Sequence, residues 1–213
     1  MRTTTSLTKR WLVSLATELA SPPDAIRVLG IDPGSVVAGW GLVCQTGNRL
    51  KMEGGGVFRP PKGELPGRLA HLHRELARVL DEHRPDVVAV ESVFHAKHAR
   101  SALVLGHARG VLLLAAAQRE LPIFEYAPSA VKKAVTGDGS SAKDQVRKMV
   151  QLLLGTEILG PMDQSDALAV AICHAQVGRF QGKLAALEQS LKGKQKRGGS
   201  RHPALRLKLK GGS

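Results

Sequence analysis

The sequence predicts an α/β fold, a mixed five-stranded sheet flanked by helices, from three observations. Three strand-like segments joined by turn signals open the main part of the chain, and helical periodicity then alternates with short strand-like runs. One of those runs, Asp86-Val-Val-Ala-Val-Glu91, is apolar without alternation, as a strand covered on both faces requires.

Each element has its own signal. Residues 27–32 and 38–44 read as two strands around Asp32-Pro-Gly34, and Thr46-Gly-Asn48 turns the chain into a third strand from Arg49 to Phe58. Together they make an antiparallel meander, which Pro60-Pro-Lys-Gly63 ends. Leu65, Leu69, Leu72, Leu76, Val79 and Leu80 recur at helical spacing up to Arg84-Pro85, giving a helix with one buried stripe. Residues 86–91 are the fourth strand.

A long helical pattern covers residues 99–119, where Gly106 and Gly110 stand four apart and let another backbone come close. Packing on the sheet is favoured for that pair over a contact between two copies of the chain. Leu121 to Tyr126 is the fifth strand, and helices over 128–136 and 142–154 follow, the second opened by Ser141-x-x-Asp144 as a capping box. A last helix starts near Pro161 and runs to about Val177, with proline in its first turn.

A chain of 213 residues, 43% hydrophobic, supports one domain with tails. The expected division is an extension over 1–26, poorly ordered or a short helix, a domain over 27–181, and a basic, disordered tail over 182–213. The net charge of +13 points to nucleic acid or an anionic surface, and the tail alone sets nine Lys or Arg against Glu188.

Cys44 and Cys173 lie among apolar neighbours without C-x-x-C spacing, so two buried free thiols in a reducing compartment, the cytoplasm, are expected. Lys9 and Arg10 before Trp11 to Ala20 have the look of a weak signal or transit peptide. Glu18 interrupts it and no small-residue cleavage site follows, which favours a short helical extension or a start codon set too far upstream. No charge-free apolar run approaches 18 residues, so neither a transmembrane helix nor a membrane partner is expected.

Four acids stand where acids are costly. Asp32 follows Arg27-Val-Leu-Gly-Ile31, Glu91 follows Asp86-Val-Val-Ala-Val90, and Asp163 and Asp166 precede Ala167-Leu-Ala-Val-Ala-Ile172. Asp-Pro-Gly is also an ordinary turn, and Asp163 and Asp166, one turn apart on one helical face, also read as charge at a helix N-terminus. Glu91, at the end of a buried strand, has no such alternative. Strand ends are where open α/β sheets bind ligands, and converging carboxylates in a basic chain suggest hard cations facing a polyanion. Two Mg²⁺ or Mn²⁺ ions roughly 4 Å apart would activate water and stabilise the leaving oxygen of a phosphodiester displacement.

Ordered motifs carry a resemblance. Gly30-Ile-Asp32-Pro-Gly34 before Gly39-Trp-Gly41, Val90-Glu91-Ser-Val-Phe94 before Ala96-Lys97, Leu105-Gly106-His-Ala-Arg109-Gly110, and Asp163-Gln-Ser-Asp166-Ala-Leu-Ala169 closely resemble the RuvC family of Holliday junction resolvases over about residues 27–178. The resemblance implies an RNase H-like fold and a homodimer, working in homologous recombination and DNA repair. It implies Mg²⁺- or Mn²⁺-dependent paired nicking of two opposed strands of a four-way DNA junction, leaving five-prime phosphate and three-prime hydroxyl ends. A branch-migration motor complex is an implied partner.

On the resemblance, Asp32, Glu91, Asp163 and Asp166 are metal-binding catalytic acids. Phe94 matches an aromatic at the junction centre, where stacking on a base is worth roughly 1–3 kcal/mol; burial in the core is the alternative. Lys132 and Lys143 match cations near the scissile phosphate, with a solvated helix face as the alternative; the functional reading leads for Lys143 and is even for Lys132. His95, Lys97, His98 and Arg100 form a basic strip suited to phosphates. His95 and His98 lack further zinc ligands, so surface basic residues are favoured over a zinc site, and His174, inside an apolar helix, reads as a packing residue.

Trp40 stands where an aromatic of another kind is common in the family, and residues 1–26 and the tail lie outside the resemblance. Other readings differ in what they explain. Another RNase H-like nuclease, acting on RNA–DNA hybrids or RNA ends, would share the metal chemistry and differ at Phe94 to Arg100. A DNA-binding module without activity would follow if the acids were caps. An actin-like ATPase shares the Gly30 to Gly34 motif, but the chain is too short for its two lobes.

Overall fold

The computed structural model describes residues 25–92 and 99–178. In chain order these form β1 (Ala25–Asp32), β2 (Ala38–Thr46), β3 (Arg49–Phe58), α1 (Leu65–His83), β4 (Val87–Glu91), α2 (Ala99–Ala117), β5 (Ile123–Tyr126), α3 (Pro128–Thr136) and α4 (Lys143–Leu154). A last helix, α5, spans residues 162–178. The strands make one five-stranded sheet in the order β3-β2-β1-β4-β5. β1 and β2 are antiparallel, as are β2 and β3, whereas β1–β4 and β4–β5 run parallel. The predicted mixed sheet is therefore present, with its meander on one side and its crossovers on the other.

Register decides what each strand shows to each face, because successive side chains alternate. Leu29 and Ile31 of β1, Ala38 and Leu42 of β2, and Val88 and Val90 of β4 face one way, into a core with Leu72, Leu76, Val79 and Leu80 of α1 and Ala108, Leu112, Ala115 and Ala116 of α2. The intervening residues, Gly30 and Asp32, Gly39 and Gly41, Ala89 and Glu91, face the other way, toward α5. That helix is buried almost continuously from Ala167 to Ala175. A Cβ on Gly30 would run into the Ala167 carbonyl oxygen, and one on Gly39 into that of Asp163. Glycine there lets the helix backbone lie directly on the sheet.

Several expectations shift. β1 begins at Ala25 instead of Arg27, because Ala25 and Ile26 pair with Thr46 and Gln45 of β2, and β4 begins at Val87, the Asp86 carboxylate accepting the backbone N–H of Arg27 at 2.7 Å. α2 stops at Ala117, where Arg119 and Glu120 bond back to Ala116 and Ala117 and Glu120 takes a left-handed φ of 56°, which delays β5 to Ile123. Gly106 and Gly110 do not pack on the sheet: both are exposed, with open space where a Cβ would sit. The capping box of α4 is not Ser141-x-x-Asp144. The Gln145 side chain accepts the Ala142 N–H at 3.0 Å, while the Ser141 hydroxyl bonds to Thr136 Oγ1 at 2.8 Å.

Both cysteines are free, but only Cys173 is buried and Cys44 is half-buried. α2 is long and apolar enough by composition to cross a membrane, yet Leu112, Ala115 and Ala116 are spent in the core and Arg100 and Arg109 interrupt it.

Candidate active site

β1 and β4 are parallel neighbours, with Ile31 paired to Val90, so Asp32 and Glu91 leave the sheet side by side at its C-terminal edge. Both face α5. The first turn of that helix lies over Gly39, the partner of Asp32 across β1–β2, and this brings Asp163 and Asp166 to the same edge. Lys143, at the start of α4, donates from Nζ to Asp166 Oδ2 at 2.8 Å. Glu91, Lys132, Lys143, Asp166 and the apolar side chains of Val131 and Val146 help line a cavity of 230 Å³.

The electrostatics show how closely these groups crowd. Burial first, then Glu91 and Asp166, push the Asp32 carboxyl from 3.8 up to about 8, against the pull of Lys143. Burial, and after it Asp166, also raise Glu91, although a hydrogen bond with Asp32 and the two lysines act the other way. The hydrogen bond to Asp166 holds the Lys143 ammonium above its ordinary value. Asp166 thus bears on both strand-end acids, whereas Asp163 bears on Asp32 alone and least. A set of carboxylates held this close and partly buried, whose mutual repulsion a bound cation would relieve, suits hard divalent cations. Among the described residues no three His, Cys, Asp or Glu side chains converge tightly enough to ligate one ion as they stand, and Lys143 is the counter-charge of Asp166 in this arrangement.

The six predicted site residues Asp32, Glu91, Lys132, Lys143, Asp163 and Asp166 therefore gather at one sheet edge. Arg100 is exposed in the first turn of α2. Phe94, His95, Lys97 and His98 lie outside the described residues. Sequence reasoning missed the partners of His174. Its Nδ1 lies 2.7 Å from the Tyr126 hydroxyl, and the Phe124 ring packs on it at 4.6 Å between centroids. It also missed Arg109, whose guanidinium pairs with Glu125 on β5. Glycines at alternate positions of a central strand, Gly39 and Gly41, were a legible sign of close backbone approach.

Comparison with known proteins shows the family to which the chain is similar. The family model described as crossover junction endodeoxyribonuclease RuvC matches residues 28–174. RuvC of Myxococcus xanthus is 50% identical over 185 residues, covering 85% of this chain and 95% of the relative, and that of Geotalea uraniireducens is 42% identical over 165 residues, covering 77% and 96%. Thermus thermophilus RuvC, solved in complex with a Holliday junction substrate, superposes with a TM-score of 0.69 at 34% identity, over 73% of this chain and 96% of that one. Matches of this extent carry the RNase H-like fold, divalent-metal dependence and nuclease activity together. The chain belongs to the RuvC family of crossover junction endodeoxyribonucleases.

Proposed function

We propose that this chain resolves four-way DNA junctions as a homodimer, nicking two opposed strands in symmetric positions. Asp32, Glu91, Asp163 and Asp166 would hold two Mg²⁺ or Mn²⁺ ions per site. The observation that carries the reading is the pairing of β1 with β4, which sets Asp32 and Glu91 together on the α5 face, where burial first and then Glu91 and Asp166 push Asp32 up to about 8. The junction bound by the T. thermophilus relative supports the substrate.

Cations bound there would supply an activated water and neutralise charge on the leaving oxygen. The chain's own groups prepare the site. Asp166 bears on both strand-end acids and is the more central of the helix pair. Lys143, whose side chain is 68% exposed, sets its ammonium beside Asp166 at the cavity, placed to stabilise charge on a scissile phosphate. Lys132 lines the same cavity. Arg100 and the segment of Phe94, His95, Lys97 and His98 are read as DNA contacts. The exposed Leu103 and Leu114 of α2, with Gly106 and Gly110 between them in sequence, support α2 as the dimer surface, and a C₂ dimer matches the near-twofold symmetry of a junction.

The test is cleavage of synthetic four-way junctions, linear duplex and RNA–DNA hybrid by the purified protein with Mg²⁺ or Mn²⁺. Paired symmetric nicks confined to the junction are expected. Equal cleavage of the hybrid would replace this reading with that of another RNase H-like nuclease.

A further inference from the structure

Helix α5 is held at two places by different chemistry. Near its start its backbone rests on Gly30 and Gly39. Two turns beyond Asp166, His174 meets Tyr126 at 2.7 Å. Burial keeps the imidazole of His174 neutral and pushes the Tyr126 hydroxyl up to about 12, so tyrosine donates and Nδ1 accepts. The Phe124 ring, 4.6 Å away between centroids, fixes the imidazole from a second side.

What distinguishes this contact from ordinary packing is where its donor sits. Tyr126 is the register partner of Glu91 across β4–β5, and its carbonyl accepts the Ser92 N–H at 2.8 Å. One hydrogen bond therefore joins the strand position beside Glu91 to the helix that bears Asp163 and Asp166. At 1.5 Å rise per residue, His174 lies roughly 12 Å along the axis from Asp166, far enough to act as a lever on its position.

We propose that Tyr126 and His174 are positioning residues for the carboxylate site: their hydrogen bond sets the slide and rotation of α5 against β5, and with it the spacing of Asp166 from Glu91. The proposal rests on the reading of the four acids as a cation site. A contact that only packed the helix would alter stability and leave cation affinity alone.

The experiment is a Mn²⁺ titration of the full-length protein, followed by the rise in Tm, beside junction binding without divalent cations. Tyr126→Phe removes only the hydroxyl, and the Mn²⁺ midpoint is expected to weaken about tenfold, the lower end of what losing a supporting hydrogen bond costs a metal site. His174→Gln, whose amide oxygen can accept the same hydrogen bond, is expected to stay within about threefold of wild type. Leu76→Ala, in the opposite core, is expected to lower Tm while keeping the midpoint, and junction binding should be unchanged in all three. His174→Ala, read in the same way, makes the outcome independent of how well Tyr126→Phe folds. A wild-type midpoint in both Tyr126→Phe and His174→Ala, whatever their Tm, overturns the positioning role. If Asp32→Asn also leaves the midpoint unmoved, the cation reading itself is what has failed.

Discussion

The two faces of this sheet are built from the same strands and to opposite rules. Toward α1 and α2 the strands present Leu29, Ile31, Leu42, Val88 and Val90, large side chains that fill space between layers. Toward α5 they present Gly30, Gly39 and Gly41, which bring the helix backbone down onto the sheet, and two acids at the strand ends. The first face gains stability by volume. The second gives up side-chain volume for close approach, and it buries carboxylates beside one another, so that burial first and then the neighbouring acids push Asp32 up to about 8. Stability and chemistry are thus separated by strand alternation, and substitutions should separate them too.

The largest effect is expected on the α5 face. Asp32→Asn should lower junction cleavage on the order of a thousandfold while junction binding persists, as loss of a group acting on the transition state does. Its stability without cations should equal or exceed wild type, since a crowded buried acid is gone; a large loss of Tm would make Asp32 a structural residue. Gly39→Ala forces α5 outward from the Asp163 carbonyl, and a misplacement of about 1 Å should cost cleavage roughly a hundredfold. Normal cleavage by that variant would show that helix depth is not critical.

The opposite face should respond in the other currency. Leu76→Ala, fully buried against the sheet, should cost about 2–5 kcal/mol by denaturant unfolding while turnover per folded molecule holds. A subtler contrast lies in pH. Asp32 binds its proton more tightly folded than unfolded, so it stabilises the fold below the ordinary value of 3.8, and that contribution is lost as pH rises through about 8. The cation-free protein should therefore lose stability between those pH values, and Asp32→Asn should flatten the slope. Smallest of all, Glu53→Ala removes the partner of Arg27 at the surface of the meander, and a change on the order of 0.5 kcal/mol is expected, with no effect on cleavage.

Much of this contrast was written in the local pattern. The Val-rich run ending in Glu91 announced a strand buried on both faces, and the spacing of Leu72, Leu76, Val79 and Leu80 announced the stripe of α1. Asp32 and Glu91 were visible because each ends an apolar strand, whereas Asp163 and Asp166, at the start of an apolar helix, stood out through the family motif. What stayed hidden depends on residues far apart in sequence. Tyr126 and His174 are separated by 48 positions, and neither has a local reason to need the other. The capping of α4 is a local miss: the Ser141 hydroxyl turns back to Thr136, five positions before it, which leaves Gln145 to reach back to Ala142. Gly106 and Gly110 were read toward the interior because spacing cannot tell which side of a helix meets the sheet; the structure leaves that side open.

The alternation that sets Asp32 and Glu91 on one face also sets the kind of genetic change this protein can survive. A substitution within β1 or β4 alters one side chain, but an inserted or deleted codon shifts the phase of every residue beyond it. Deleting Ala89 alone would turn Glu91 into the apolar core or move Val88 out of it, abolishing activity and fold together. Length in these two strands is therefore under tighter constraint than composition, and tolerated insertions should fall in the turns, such as Gly47-Asn48, where phase carries no meaning.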